Sequence, residues 1–235
     1  MVALLGAWYL FSTSSKPAAN ANTAKANTSN TGKPAIPVNA PLGANPPNQS
    51  GSQTATVTLE EFADFQCPQC AAAHPIMNEI KSTYGSRIRF IFRNFPLAIP
   101  AHDKSYDAAV AAEAAGMQGK FWDMQNLLFT NQRTWTADPN FKKIWNDYAQ
   151  KIGLDIPKWE SDMSGIAARS RVDEDLKRGK GLSINSTPTL YLNGVDVPFQ
   201  QMTVDGLRQL IDAELAKKAA PQPQAAPANT GNSNK

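Results

Sequence analysis

The chain contains two cysteines, and they stand close together in Phe65-Gln66-Cys67-Pro68-Gln69-Cys70. Cysteine reacts as the thiolate, so what matters is whether the local backbone favours an anion. A β-prone run, Val57 to Phe65, leads into the pair, and a helical pattern, Cys67 to Tyr84, leads out. That order sets Cys67 at a strand-to-helix junction, where free N–H groups and the positive end of the helix dipole stabilise negative charge. One turn of helix carries Cys70 onto the same face, near enough to close a small disulfide ring. The chemistry these residues suggest is thiol–disulfide exchange.

Plainer readings compete. Two cysteines can be buried apolar groups or a static disulfide of an exported domain, although lone core cysteines rarely fall with two residues between them at a helix start. Cys67, Cys70 and His74 share one helical face and offer three metal ligands, but a structural zinc site takes four and no second Cys/His pair exists. His74 otherwise reads as a helix residue, and His102 as a capping or solvent-facing group. Glu61 is either a strand carboxylate paired with a lysine or a group acting on the cysteines, and Asp64 competes for that second role. Trp122, Trp135, Trp145 and Trp159 read as packing, and the charges from Arg169 to Arg178 as a solvated helix face.

The elements that must position the pair follow from periodicity. Val57 to Phe65 is apolar on both sides, as in a sheet-interior strand. The helix after it has Ala71, Ile76, Met77, Ile80 and Tyr84 as its buried stripe, a kinking Pro75 and a stop at Gly85. Ile88 to Phe95 is a second strand, and the connection makes the two parallel. A helical block follows: Asp103 to Gly116, Lys120 to Thr130, a helix capped at Asp138-Pro139, Asp155 to Met163, and Ile166 to Arg178. Thr187 to Leu192, the Asn193-Gly194 turn and Val195 to Phe199 form a hairpin, and Thr203 to Lys218 a last amphipathic helix. The order is β-α-β, helices, then β-β-α.

Residues 12–53 and 219–235 are low-complexity polar segments, expected to be a disordered linker and a disordered tail around a domain spanning 54–218. The apolar residues 1–11 are too few to span a membrane and lack a basic leader. They are either the trailing half of a signal or membrane anchor or a frayed terminus. The net charge of +3 is small and scattered, which argues against a nucleic-acid partner.

Glu61-Phe62-Ala63-Asp64-Phe65-Gln66-Cys67-Pro68-Gln69-Cys70, His74-Pro75 and Ser186-Thr187-Pro188-Thr189-Leu190-Tyr191-Leu192-Asn193-Gly194, in this element order, resemble the thioredoxin superfamily and its DsbA-like thiol–disulfide oxidoreductases. The resemblance covers about residues 54–217. It implies an α/β thioredoxin fold with a helical insertion, about 97–182, between the βαβ and ββα halves. It implies Cys67 as nucleophile, Cys70 as resolving thiol, and Pro68 and Gln69 as the dipeptide that tunes them. A cis Pro188 would lie against the Cys67 sulfur, with the Thr187 backbone pairing with substrate, and Glu61 would shuttle a proton. No cofactor is expected beyond the Cys67–Cys70 disulfide, and no metal. Expected partners are exported proteins with free thiols and a quinone-linked membrane protein for reoxidation. The protein is then an extracytoplasmic, membrane-tethered monomer. A reductase or isomerase, or a non-catalytic peptide-binding module, is the alternative. Strongly oxidising relatives often have Pro-His between the cysteines. The neutral Gln69 places this chain between their potential, about −120 mV, and the thioredoxin value, about −270 mV.

Overall fold

The computed structural model describes residues 36–37 and 39–219. Residues 1–35, 38 and 220–235, on which the anchor and tail expectations and much of the linker expectation fall, lie outside the described residues. A five-stranded sheet runs through the molecule in the order β1-β3-β2-β4-β5. The central strand is β2 (Val57–Ala63), parallel to β3 (Ile88–Asn94) and antiparallel to β4 (Thr189–Leu192). The short β5 (Val195–Asp196) closes the hairpin through Asn193 and Gly194, both at positive φ, as this two-residue turn requires. On one face α1 (Pro68–Tyr84) and α8 (Val204–Ala219) pack on the sheet and on each other. Between β3 and β4 run α2 (Ser105–Gly116), α3 (Phe121–Thr130), α4 (Gln132–Ala137), α5 (Phe141–Lys151), α6 (Ile156–Ser164) and α7 (Ile166–Gly181). This is the thioredoxin-type α/β architecture with an interposed helical block.

Alanine makes α2 the hub of that block. Ala108, Ala109, Ala111, Ala112, Ala114 and Ala115 are all buried, and side chains that small let α3, α6 and α7 approach its backbone closely. The tryptophans pack as expected: Trp135 and Trp145 meet edge to face at 5.3 Å, and Trp159 donates its ring N–H to the Ala111 carbonyl. Asp138 does not cap a helix through Pro139. Its carboxylate instead takes the Asn140 N–H, and α5 begins two residues later than expected. On α1 the deeply buried positions are Cys70, Ala73, His74, Met77, Ile80 and Tyr84, while Ala71 and Ile76 are only partly covered. Pro75 sits inside this helix without ending it.

Two expectations need correction. The ordered domain does not begin at 54: β1 (Asn48–Gly51) pairs antiparallel with β3, and Ala44 is buried. Its polar side chains carry no hydrophobic period, because this edge strand is held by its backbone. Nor is α7 a solvated face. Asp175 is fully buried, and Arg171, Asp175 and Arg178 turn inward at i, i+4 and i+7. Arg178 and Arg93 both grip the buried Glu60, at 2.7 Å each, and Arg93 also holds Asp175 at 2.9 Å. The same guanidiniums donate to the carbonyls of Pro41, Leu42 and Ala44, which straps the segment before β1 across this face of the sheet. Burial alone would raise Glu60, but the arginines outweigh it and hold its carboxyl below the usual range.

Replacing Arg93 by Met leaves Glu60 and Asp175 short of a buried counter-charge. A loss of about 3–5 kcal/mol is expected, read from the denaturant midpoint of the full-length chain.

Candidate active site

The strand β2 ends at Ala63, and four residues turn the chain into α1. Asp64 builds that turn. Its carbonyl accepts the Cys67 N–H at 3.1 Å, its N–H donates to Cys70 Sγ at 3.5 Å, and its buried carboxylate takes the Gln66 N–H at 2.7 Å. The same carboxylate collects three groups from the loop after β3 and the start of α2: the Leu97 N–H at 2.9 Å, His102 Nδ1 at 2.6 Å and the Ser105 hydroxyl. From the far side, Gln132 of α4 donates its amide to the Phe65 and Cys67 carbonyls at 2.7 and 2.9 Å. The Cys67 loop is therefore fixed by groups from two distant parts of the chain.

Cys67 is the N-cap of α1, with extended backbone angles and no side chain satisfying the first N–H groups. Pro68 occupies the first helical position, where its missing N–H costs nothing. Pro68 and Gln69 are exposed, Cys67 is 6% exposed and Cys70 1%. Both cysteines are free thiols. Cys67 donates its S–H to the Thr187 carbonyl at 3.3 Å, and the Thr187–Pro188 peptide is cis, as the resemblance implied. The Thr187 hydroxyl is buried without a partner among the described residues.

This environment separates the two sulfurs. Hydrogen bonding from the Cys70 thiol is the main force that brings Cys67 down to about 5, against a smaller opposing effect of burial. Thr187 and the backbone N–H groups of Gln69 and Cys70 add to the lowering. Burial is the main force that pushes Cys70 up, and proximity to Cys67 and Glu61 reinforces it. Glu61 lies on the α1 side of β2, where complete burial lifts it to about 7; Lys81 of α1 only partly offsets this. The Lys81 ammonium sits 4.6 Å from the centre of the Trp122 ring. The structure thus brings Cys67, Cys70, Thr187, Pro188 and Glu61 together, with Pro68 and Gln69 at the surface of the first turn.

Other candidates fall into plainer roles. His74 is buried one turn beyond Cys70, 3.0 Å from both Asn78 and Asn126, and burial lowers it. His102 is neither a cap nor free in solvent but is held by Asp64. Sequence reasoning missed the structural work of Asp64, Gln132 and Ser105. Nothing in their local sequence could signal it, since their partners lie 33 to 67 residues away, apart from the contacts of Asp64 inside its own turn.

The family model described as Thioredoxin matches residues 45–213. The chain belongs to that family, and its paired cysteines at a helix start are groups that thiol–disulfide exchange can use. Among solved structures it is similar to oxidised BdbD from Bacillus subtilis, at TM-score 0.64 and 23% identity over 75% of this chain and 98% of that one. It is similar also to the thiol-disulfide exchange protein alpha-DsbA2 from Wolbachia pipientis, at TM-score 0.59 and 19% identity over 72% and 87% of the two chains. Among curated proteins it matches the Na(+)/H(+) antiporter NhaA 1 of Mycolicibacterium vanbaalenii, 35% identical over 147 residues, which is 62% of this chain and 23% of that protein. The chain thus spans less than a quarter of the length of the curated relatives it matches. Among the described residues, no helix is long and apolar enough to cross a membrane.

In the reduced protein, thiolate absorbance should titrate with a midpoint near pH 5 and vanish in Cys67→Ser. A midpoint near the ordinary thiol value would contradict the separation of the two sulfurs.

Proposed function

We propose that this protein is an extracytoplasmic oxidase that introduces disulfides into exported proteins through Cys67 and Cys70. One observation carries the reading: two sulfurs three residues apart are driven in opposite directions, Cys67 down to about 5 and Cys70 well up. In the oxidised form a client thiolate attacks Cys67 Sγ and the Cys67–Cys70 bond breaks. Its electron pair leaves on Cys70, which takes up a proton. A second client thiolate then attacks the client sulfur of the mixed disulfide, and Cys67 departs as a stable thiolate. The client has lost two electrons and the protein has gained them. No cofactor is needed beyond the two sulfurs. A membrane protein linked to quinone, accepting those electrons, would restore the disulfide.

Glu61 supplies the buried proton. Its carboxyl, with a value near 7, is protonated or deprotonated at little cost in the neutral range, near enough to Cys70 for its charge to raise that sulfur. Thr187 offers its backbone to an extended client and its unpartnered hydroxyl to the Cys67 thiolate.

Proton linkage favours the oxidising direction. Folded, reduced Cys67 is a thiolate above about pH 5, whereas the unfolded chain keeps its proton to the ordinary value near 9. The unfolded state binds more protons across that window, so the reduced fold gains stability as pH rises from about 5 toward 9 and loses it as pH falls through 5. The disulfide form has no such group. Stabilising the reduced fold makes the disulfide a stronger oxidant. Glu61 has the opposite sign: its raised value contributes stability below about 4.5 that is lost as pH rises through 7.

The first test is the reduction potential against glutathione. We expect a value well above about −270 mV, the thioredoxin level, and a value at that level would mark a reductase instead. Cys67→Ser should abolish oxidation of a reduced client, while Cys70→Ser should accumulate client trapped on Cys67; full activity of either variant contradicts the scheme. The reduced form should melt higher than the oxidised form at pH 7, and the gap should shrink toward pH 5. Glu61→Gln should slow the Cys70 step on the order of 100-fold and flatten its pH profile near 7, measured by rapid quench.

A further inference from the structure

The step that breaks the disulfide leaves a negative charge on Cys70, in a place that gives such a charge little help. Cys70 is 1% exposed, so solvent barely reaches it, and burial works against its thiolate. Among the described residues one backbone N–H, that of Asp64, donates to Cys70 Sγ, at 3.5 Å. The other partner of Cys70 is the Cys67 sulfur, which is joined to the client at that moment. The aim of the Asp64 N–H is set by its own side chain. That buried carboxylate takes the Gln66 N–H at 2.7 Å, the Leu97 N–H at 2.9 Å, the Ser105 hydroxyl and His102 Nδ1 at 2.6 Å. His102 and Ser105 reach it from 38 and 41 residues along the chain, and Ser105 also bonds Gln66 Oε1 at 3.3 Å. The turn is thus held by side chains that touch neither sulfur.

We propose that the Asp64 N–H is a catalytic donor to the departing Cys70 sulfur, and that His102 and Ser105 are positioning residues that keep it aimed. The inference rests on the exchange reaction proposed above and adds how its buried leaving group is stabilised. The client thiol gives its proton to solvent, and its sulfur bonds to Cys67 Sγ. The Cys67–Cys70 bond breaks, and both of its electrons go to Cys70 Sγ. The charge that develops there faces the Asp64 N–H and stays until the sulfur takes up a proton. A donor already aimed at a developing charge, in a site without water, costs no reorganisation at the moment of reaction. Once the carboxylate loses a partner, the turn relaxes and the N–H loses its line to the sulfur.

The test reads the rate at which glutathione reduces the Cys67–Cys70 disulfide in the full-length, oxidised protein. His102→Ala should lower that rate about tenfold, and Ser105→Ala should act in the same direction. His102→Asn has a side-chain N–H as many bonds from the backbone as Nδ1, and it should restore most of the rate. A second readout separates aim from general loosening of the loop. In the Cys70→Ser background, iodoacetamide should alkylate Cys67 at the same rate with and without His102→Ala, because no charge develops at position 70 in that reaction. An unchanged reduction rate in either alanine variant, no rescue by His102→Asn, or an equal fall in Cys67 alkylation overturns the donor. A wild-type disulfide that glutathione does not reduce overturns the exchange reaction itself, a separate outcome.

Discussion

The structure turns on three carboxylates carried by or next to one buried strand. Glu60, Glu61 and Asp64 are all nearly inaccessible, and burying three negative charges within five residues would be ruinous if each stayed ionised and alone. Each is resolved differently. Glu60 keeps its charge because Arg93 and Arg178 surround it. Glu61 has only Lys81 to offset its burial and is lifted into the neutral range. Asp64 is spent on hydrogen bonds, to donors from the active-site turn and from the loop opposite. The sheet alternation sends Glu60 and Glu61 to opposite faces, so the structural ion cluster and the titrating carboxyl are insulated from each other by the strand itself.

The helical insertion is more than a decoration between the two halves of the sheet. Ser105 and His102 at the entrance of α2, and Gln132 of α4, supply donors that the Cys67 loop would otherwise lack. An active-site turn must hold a thiol at fixed geometry while its charge changes, and donors on packed helices do this better than neighbouring loop residues. The alanine-rich α2, packed tightly against three other helices, gives those donors a rigid base.

Much of this was legible in the sequence, for identifiable reasons. The cysteine pair, the strand before it and the proline after it are local signals, and so is the Asn193-Gly194 turn. Apolar periodicity gave the main helices, because their stripes face a core. β1 was missed since an edge strand of Asn, Gln, Ser and Gly announces nothing by hydrophobicity. The charges of α7 were misjudged because a charged residue and a solvated residue look alike until a buried partner is found, and Glu60 lies 118 residues from Arg178. The ladder of donors around Asp64 is invisible for the same reason: it exists only once the chain has folded back on itself.

The two rims of the sheet have a further consequence. One is the four-residue β1, polar and ending in Gly51 at positive φ; the other is the two-residue β5, with the Ile36 N–H already donated to the Gly194 carbonyl beside it. Neither offers a long, flat, apolar row of unpaired backbone groups. Such rows invite indiscriminate strand addition and aggregation. With its rims blunted, the sheet is unreceptive to added strands along both of its edges.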